Sequence, residues 1–237
     1  MSREVVGQLR RARAQLDAGD YAAAADTCQK ILDEEWYCLP ALRMLARSAA
    51  ATGRIDVAEE SFRACANIDP EDDLAHVGLA LCAEARGDPE AAANEYHRAL
   101  ELAPTDLELV AEVNRRMGAV HRTPLMAARE AMSRGAFADA QELLGEPSDD
   151  EDLAVELTRA HAMWEMGEPQ GVWDLCWRLL QKHPTCVRAL HWLHRAGPLV
   201  EKPLYVRIMA KRLQQIAPDL PPFCPSIRAN ECASSSS

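Results

Sequence analysis

Arginine recurs at one position of a regular pattern in this chain of 237 residues. A pattern glycine stands at residues 19, 53, 87, 135 and 167, and Glu201 occupies the next 34-residue step. Counting back six residues from each gives Arg13, Arg47, Leu81, Arg129, His161 and Arg195. Arg115 lies 34 residues after Leu81, and Arg43 lies one helical turn before Arg47. The position six residues before each turn residue is called the ladder position below. Because a guanidinium group binds a carboxylate through two parallel hydrogen bonds, the arginines there predict recognition of acidic groups.

A second group of side chains has the chemistry of metal ligands. Cys186, His191 and His194 are close in sequence, and Cys224 and Cys232 follow further on. Histidines three residues apart share a helix face, and cysteine with histidine is a ligand set that zinc accepts. The spacing matches no compact zinc motif, and His194 falls at a small core-contact position of the pattern. A packing role is therefore favoured, and the sequence predicts neither a metal nor a cofactor.

Catalytic motifs are missing from the sequence. The chain has no glycine-rich phosphate-binding loop, no GxSxG turn around a nucleophilic serine, and no HExxH metal-binding helix. Its many carboxylates occupy the positions expected of solvated helix faces and caps. The sequence therefore predicts a protein that is not an enzyme and has no catalytic residues.

Tryptophan is concentrated in one stretch of the chain. Trp164, Trp173, Trp177 and Trp192 lie within it, and only Trp36 lies elsewhere. Tryptophan is enriched at binding hot spots, but Trp173 and Trp177 are four residues apart on one predicted helix, a spacing that packing explains as well. Packing is favoured for this pair, and Trp164 is the best candidate for binding.

The elements that must position these residues are paired helices. Small or apolar residues stand five, nine and twelve residues after each of the first three glycines, which places them on one helical face. The residues seventeen positions after them are Trp36, Pro70 and Pro104, and proline ends a helix. A second helical pattern precedes each glycine, with Ala12, Ala46 and Ala80 seven residues before it. Each unit is therefore predicted to be two helices joined by a tight turn.

This 34-residue helix–turn–helix, with its glycine, alanine, aromatic and proline spacing, resembles the tetratricopeptide repeat family. Six repeats are predicted over residues 5–220. The resemblance implies an all-α solenoid of stacked repeats wound into a right-handed superhelix. The chain departs from the family pattern where the first helix usually carries Trp and Tyr; the residues there are Gln8, Leu42 and His76, then Gln15, Ala49 and Ala83.

The resemblance also implies that the ladder position faces a concave groove that contacts bound peptides. The predicted partner-binding residues are Arg13, Arg43, Arg47, Arg115, Arg129, His161, Trp164 and Arg195. If they line the groove, Arg13, Arg43, Arg47 and Arg115 share one concave surface and their guanidinium groups are not held by acidic neighbours. The alternative is that these arginines pair with Asp or Glu of adjacent repeats. Asn is absent at the ladder position, so the family's clamp for acidic C-terminal peptides is not carried over.

One interval breaks the regular spacing. Gly87 and Gly135 are 48 residues apart, and the surplus predicts an extra helix at about 106–119. This predicts a joint between residues 1–120, with three repeats and the extra helix, and residues 121–220, with three more divergent repeats. The acidic run at 145–152 predicts a turn and a helix cap. Residues 221–237 are rich in Pro and Ser and are expected to be a disordered tail.

Composition sets further limits. A net charge of −11 argues against general binding to nucleic acid or to an anionic membrane, because both need a basic face. No signal peptide or membrane-spanning stretch is seen. The eight cysteines are scattered without a CxxC pair, which predicts reduced thiols and a cytoplasmic protein.

The leading functional hypothesis is a non-enzymatic scaffold that binds a peptide segment or a partner protein, acidic in character, in the arginine-lined groove. The main alternative is a structural subunit packed permanently into a larger or homo-oligomeric assembly. A regulatory accessory to a separate enzyme is a weaker alternative. The sequence does not name the partner.

Overall fold

A computed structural model describes residues 3–146 and 152–218, and within these ranges the chain forms thirteen α-helices and no strand. The helices are α1 Arg3–Asp17, α2 Tyr21–Glu34, α3 Leu39–Ala51, α4 Ile55–Ile68, α5 Asp73–Arg86, α6 Pro89–Leu102, α7 Leu107–Met117, α8 Pro124–Ser133, α9 Phe137–Leu144, α10 Leu153–Glu165, α11 Pro169–Lys182, α12 Val187–Ala196 and α13 Pro203–Ile216. Helices that are consecutive in sequence pack on each other in six antiparallel pairs. The predicted all-α solenoid is confirmed.

The buried positions follow the predicted spacing. Ala24 and Ala58 are fully buried and Ala92 nearly so, five residues after each pattern glycine. Such small side chains let the helices of neighbouring units approach closely, so each unit packs against the next. The aromatic position nine residues after Gly87 is filled by Tyr96, whose ring is also buried.

Glycine closes the turns between the helices of a pair. Gly19, Gly53, Gly87, Gly135 and Gly167 all have φ between 72° and 79°, a backbone conformation that costs little only without a Cβ atom. The sixth turn has Glu201 at this position with φ 56°, and among the described residues it is the single non-glycine residue with positive φ.

The surplus residues form α7, Leu107–Met117, which lies inside the range 106–119 named from the sequence. α6 contacts both α7 and α8, so the next pair packs directly on α6 and α7 lies beside the stack. One hydrophobic cluster contains buried residues of α1–α5 and of α10–α13, so residues on both sides of α7 share a core. The joint at residue 120 stays a prediction. Most of the acidic run 145–152 and the tail 221–237 lie outside the described residues.

The six cysteines in the described part are all buried, and none forms a disulfide with another of them. Burial raises the pKa of the Cys28 and Cys65 thiols to about 12. They are unreactive thiols that act as small core residues. Cys224 and Cys232 lie outside the described residues. None of the described helices has the length and apolar character needed to cross a membrane.

Candidate partner-binding site

The turn between α4 and α5 carries three acidic side chains that organise the centre of the molecule. Asp69 ends α4, and its backbone N–H donates to the Cys65 carbonyl. Asp72 caps α5 by accepting a hydrogen bond of 3.1 Å from the Ala75 N–H. Pro70 between them cannot continue α4, so the chain must turn here. The acidic turn comprises Asp69, Glu71 and Asp72.

Two arginines hold Asp69, one from the paired helix α3 and one from the distant helix α12. Arg188 of α12 donates from Nε to Oδ1 at 2.7 Å and from Nη2 to Oδ2 at 3.1 Å. Arg43 of α3 donates from Nη2 to Asp69 Oδ2 at 3.2 Å and from Nε to Asp72 Oδ2 at 2.7 Å. The Asp69 side chain has no exposed surface. A carboxylate this deeply buried needs such paired donors to offset its lost hydration.

A third arginine holds Glu71. Arg129 of α8 donates from Nη2 to Glu71 Oε1 at 2.6 Å and from Nη1 to the Leu102 carbonyl at 3.0 Å. Burial alone would raise the pKa of Glu71, but Arg129 and Arg188 beside it hold that pKa below its usual value. The acidic turn with Arg43, Arg129 and Arg188 is called the acidic clasp below. It ties α3, α8 and α12 to one turn.

An open cavity of about 850 Å³ adjoins the clasp. Two of its lining residues, Arg129 and His161, occupy ladder positions of successive repeats, and Glu71, Arg134, Phe137 and Glu165 also line it. Arg134 is exposed and forms no ion pair with any described residue. Leu102 and Met132 add apolar surface. The cavity can therefore accept a chain segment that has both apolar and charged side chains.

An aromatic stack lies near His161. The guanidinium carbon of Arg195 lies 4.3 Å from the centre of the Trp164 ring and 5.5 Å from that of Trp192, both within cation–π range. The His161 ring lies 5.3 Å from the Trp192 ring. Burial lowers the pKa of His161, and the charges of Arg129 and Arg195 act in the same direction. His161 is therefore neutral at neutral pH.

The structure thus divides the predicted site residues. Arg43 and Arg129 hold the acidic turn, and Arg129 and His161 line the cavity. Trp164 and Arg195 pack on each other in the aromatic stack near His161. Arg13 and Arg47 are exposed and form no ion pair within the described ranges, as a groove would need. Arg115 is exposed and pairs with Glu112 of its own helix.

The expectation of unpaired guanidinium groups is therefore wrong at Arg43 and Arg115. At Arg43 the alternative, pairing with acids of the neighbouring repeat, is what the structure shows. The physical reason is proximity. Arg43 lies on α3 beside the turn that joins α4 to α5, so its guanidinium group reaches Asp69 and Asp72 of that turn.

Sequence reasoning missed Arg188 and the acidic turn. Arg188 stands thirteen residues before Glu201, a position at which only one other repeat has an arginine, Arg122, so the repeat pattern did not single it out. The run of three acids in four residues after Ile68 could have indicated a cluster of ion pairs. Its partners Arg129 and Arg188, however, lie on helices far away in sequence.

The cysteine and histidine group does not form a metal site in the described part of the chain, where no cluster of three or more His, Cys, Asp or Glu side chains is arranged to hold an ion. His194 Nδ1 lies 3.2 Å from the Val206 carbonyl, and His191 is buried in the core of α12. Packing accounts for both histidines.

Comparisons with known protein families identify repeats in the first half of the chain. Two family models, both described as tetratricopeptide repeat, match residues 7–35 and 43–106. Comparison with curated proteins gave no match.

Similar solved structures include the TPR domain of P58(IPK), with 20% identity, 90% of this chain and 60% of that chain covered, and a TM-score of 0.44. A tetratricopeptide repeat protein from Parabacteroides merdae has 12% identity, with 90% and 78% covered and a TM-score of 0.41. Pseudomonas aeruginosa pilF has 15% identity, with 91% and 92% covered and a TM-score of 0.38. The chain thus spans 60% of the length of the first of these. With TM-scores this low the likenesses carry no argument about function. The two family matches identify tetratricopeptide repeats at residues 7–35 and 43–106, and the paired helices that follow them carry the same repeat spacing.

Proposed function

We propose that the chain is a non-enzymatic scaffold that binds a segment of a partner protein in the cavity beside the acidic clasp. The tetratricopeptide fold is a general scaffold for protein–protein interaction. One observation carries the proposal: an open cavity of about 850 Å³ lies at the ladder positions of two successive repeats and is lined by both charged and apolar side chains. Clefts of this size with a few fixed polar groups are the usual form of a binding site.

The charge of the partner segment follows from which arginines are engaged. Arg43, Arg129 and Arg188 already hold the acidic turn. Arg134 lies at the cavity without an ion pair in the described part of the chain, so it is the residue that would meet an acidic side chain. Phe137 and Met132 would meet an apolar one. The proposed ligand is a peptide segment that carries one carboxylate close to apolar residues.

Selection from a displayed library of random peptides on the full chain tests this proposal. Recovered peptides should be enriched in an acidic residue next to an apolar one, and binding should weaken as salt rises. Arg134→Ala should weaken binding about tenfold, as expected for one lost charged hydrogen bond of about 1.5 kcal/mol. Its melting temperature should not change, because no described contact of the Arg134 side chain stabilises the fold.

Two control variants test whether the peptide binds at the cavity or elsewhere on the chain. Arg11→Ala removes an exposed arginine of α1 and should leave binding unchanged. Arg47→Ala removes an exposed ladder arginine outside the cavity lining. If only Arg47→Ala weakens binding, the peptide site lies along the ladder of the first repeats, and the cavity proposal is refuted.

A further inference from the structure

Helix α13 presents large apolar side chains to solvent. Leu204 is 74% exposed and Ile208 is 51% exposed, one helical turn apart on the same face. Two aromatic rings extend this surface. Tyr205 of α13 packs edge-on against Trp177 of α11, with ring centres 5.2 Å apart, and both rings are partly exposed. The α13 surface is defined as Leu204, Ile208, Tyr205 and Trp177.

Equivalent positions in the other repeats show that this exposure does not depend on whether another repeat follows. Leu204 and Ile208 lie three and seven residues after the turn residue Glu201. The same positions on the earlier second helices are Ala22 and Asp26, Asp56 and Glu60, Glu90 and Asn94, Ala138 and Glu142, and Gln170 and Asp174. All of these are exposed although another repeat follows each of them. The presence or absence of a following repeat therefore does not explain why, among these second helices, α13 alone places two large apolar residues there.

The charge around this surface also differs from the rest of the chain. Lys202, Arg207 and Lys211 are exposed and form no ion pair with any described residue. Residues 202–218 contain no Asp or Glu, whereas the whole chain has a net charge of −11. Apolar side chains flanked by unpaired cations form a surface that is complementary to an acidic, apolar partner.

We propose that the α13 surface binds an amphipathic helix of another protein whose apolar face is flanked by acidic side chains. Leu204 and Ile208 would pack against that apolar face, and Lys202, Arg207 and Lys211 would pair with the flanking acids and fix the register. A second copy of this chain fits less well. Among the described residues no other helix exposes two large apolar side chains one turn apart; Leu74, Leu107 and Leu143 stand singly. This surface does not include the cavity residues, so it can function whether or not the cavity binds a peptide.

Fluorescence anisotropy with a defined probe tests the proposal. The probe is a labelled peptide of Leu and Glu placed at helical spacing, and its control is a scrambled peptide of the same composition. The full chain should bind the amphipathic probe at least tenfold more tightly than the scrambled one. Leu204→Gln with Ile208→Gln should weaken binding at least tenfold, and Arg207→Glu with Lys211→Glu should weaken it severalfold and reduce its salt dependence.

Matched control variants remove similar groups elsewhere. Leu107→Gln removes an 81% exposed leucine of α7, and Lys30→Glu reverses an exposed lysine of α2. Neither should change probe binding by more than about twofold. Because every substituted side chain is solvent-exposed, the variants should keep the wild-type melting temperature.

Other occupants would give other results, and each would overturn the proposal. Equal binding of both peptides would show general attraction of acidic chains. Self-association in sedimentation velocity that Leu204→Gln with Ile208→Gln abolishes would identify a second copy. Binding to phosphatidylserine vesicles, but not to the probe, would identify a membrane surface. Probe binding that appears only in the full chain carrying Leu220→Gln and Phe223→Gln would identify the chain's own C-terminal residues.

Discussion

The first three helical pairs, α1–α6, and the last pair, α12–α13, share the 34-residue step but differ in their local signals. The turns of the first three pairs have glycine with φ between 72° and 77°, whereas the last has Glu201. Asp20 and Asp88 cap the second helices α2 and α6 with hydrogen bonds, whereas neither Arg54 before α4 nor Lys202 before α13 makes a side-chain cap. Exposed positions are mainly acidic or small in the first region and apolar or basic in the last.

Both regions nevertheless form the same antiparallel helical pair. The repeat geometry therefore depends on the buried face of each helix and on its packing against the preceding helix. Burial supplies most of the free energy that orders a helix in a folded protein. Caps and turn residues adjust stability by about 1 kcal/mol each and do not decide the architecture. The α12–α13 pair keeps the buried residues Leu190, Leu193 and Met209.

The largest expected effect comes from breaking the link between the two regions. Asp69 belongs to the first region and Arg188 to the last, 119 residues away. Asp69→Ala leaves Arg188 and Arg43 without this carboxylate and should lower the free energy of unfolding by about 3–5 kcal/mol, the usual cost of breaking a buried ion pair. Chemical denaturation measures this change.

Glu60→Gln is the control, because that carboxylate is exposed and makes no ion pair in the described ranges. It should change stability by less than about 0.5 kcal/mol. If Asp69→Ala and Glu60→Gln have equal effects, the acidic clasp does not join the two regions energetically.

A smaller expected effect is the pH dependence that His191 of the last pair gives to the free energy of unfolding. Burial lowers the pKa of His191 in α12 to about 3, with the charges of Arg195 and Arg188 acting in the same direction. The unfolded imidazole binds a proton as the pH falls through about 6.5. The unfolded state therefore binds more protons between these values, and the free energy of unfolding should fall as the pH falls.

His191→Leu should remove this contribution, which amounts to about 2 kcal/mol between pH 7 and pH 5. Denaturation at both pH values measures it. Val187→Ala in the same helix core should lower stability equally at both pH values, because no titrating group is lost. An unchanged pH slope in His191→Leu would show that His191 is not held neutral by burial.

The smallest expected change in stability comes from the turn residues of the two regions. Glu201→Gly should raise the free energy of unfolding by about 1 kcal/mol, because it removes a Cβ atom from a left-handed backbone conformation. Gly87→Ala at the equivalent turn, φ 74°, should lower it by about 1–2 kcal/mol for the same reason. Thermal unfolding followed by circular dichroism measures both. Shifts of the same sign in the two variants would mean that the two turns are not equivalent.

Local periodicity predicted the paired helices, the turn glycines and the extra helix α7. It succeeded because helix spacing, turn conformation and the burial of residues such as Ala24 and Ala58 are properties of short segments. The position of Glu201 was also predicted from the 34-residue step, although no sequence signal there indicated a turn with positive φ.

The roles of the ladder residues were decided by tertiary structure. Arg47 and Arg129 occupy equivalent positions, yet Arg47 is exposed whereas Arg129 is held by Glu71 and the Leu102 carbonyl. The two differ because an ion pair needs a partner within about 4 Å, and only the packing of distant helices around the acidic turn supplies one to Arg129. Local periodicity is enough to predict which faces of the helices are buried. Which charged groups meet depends on how helices that are far apart in the chain pack together, since Arg188 reaches Asp69 across 119 residues.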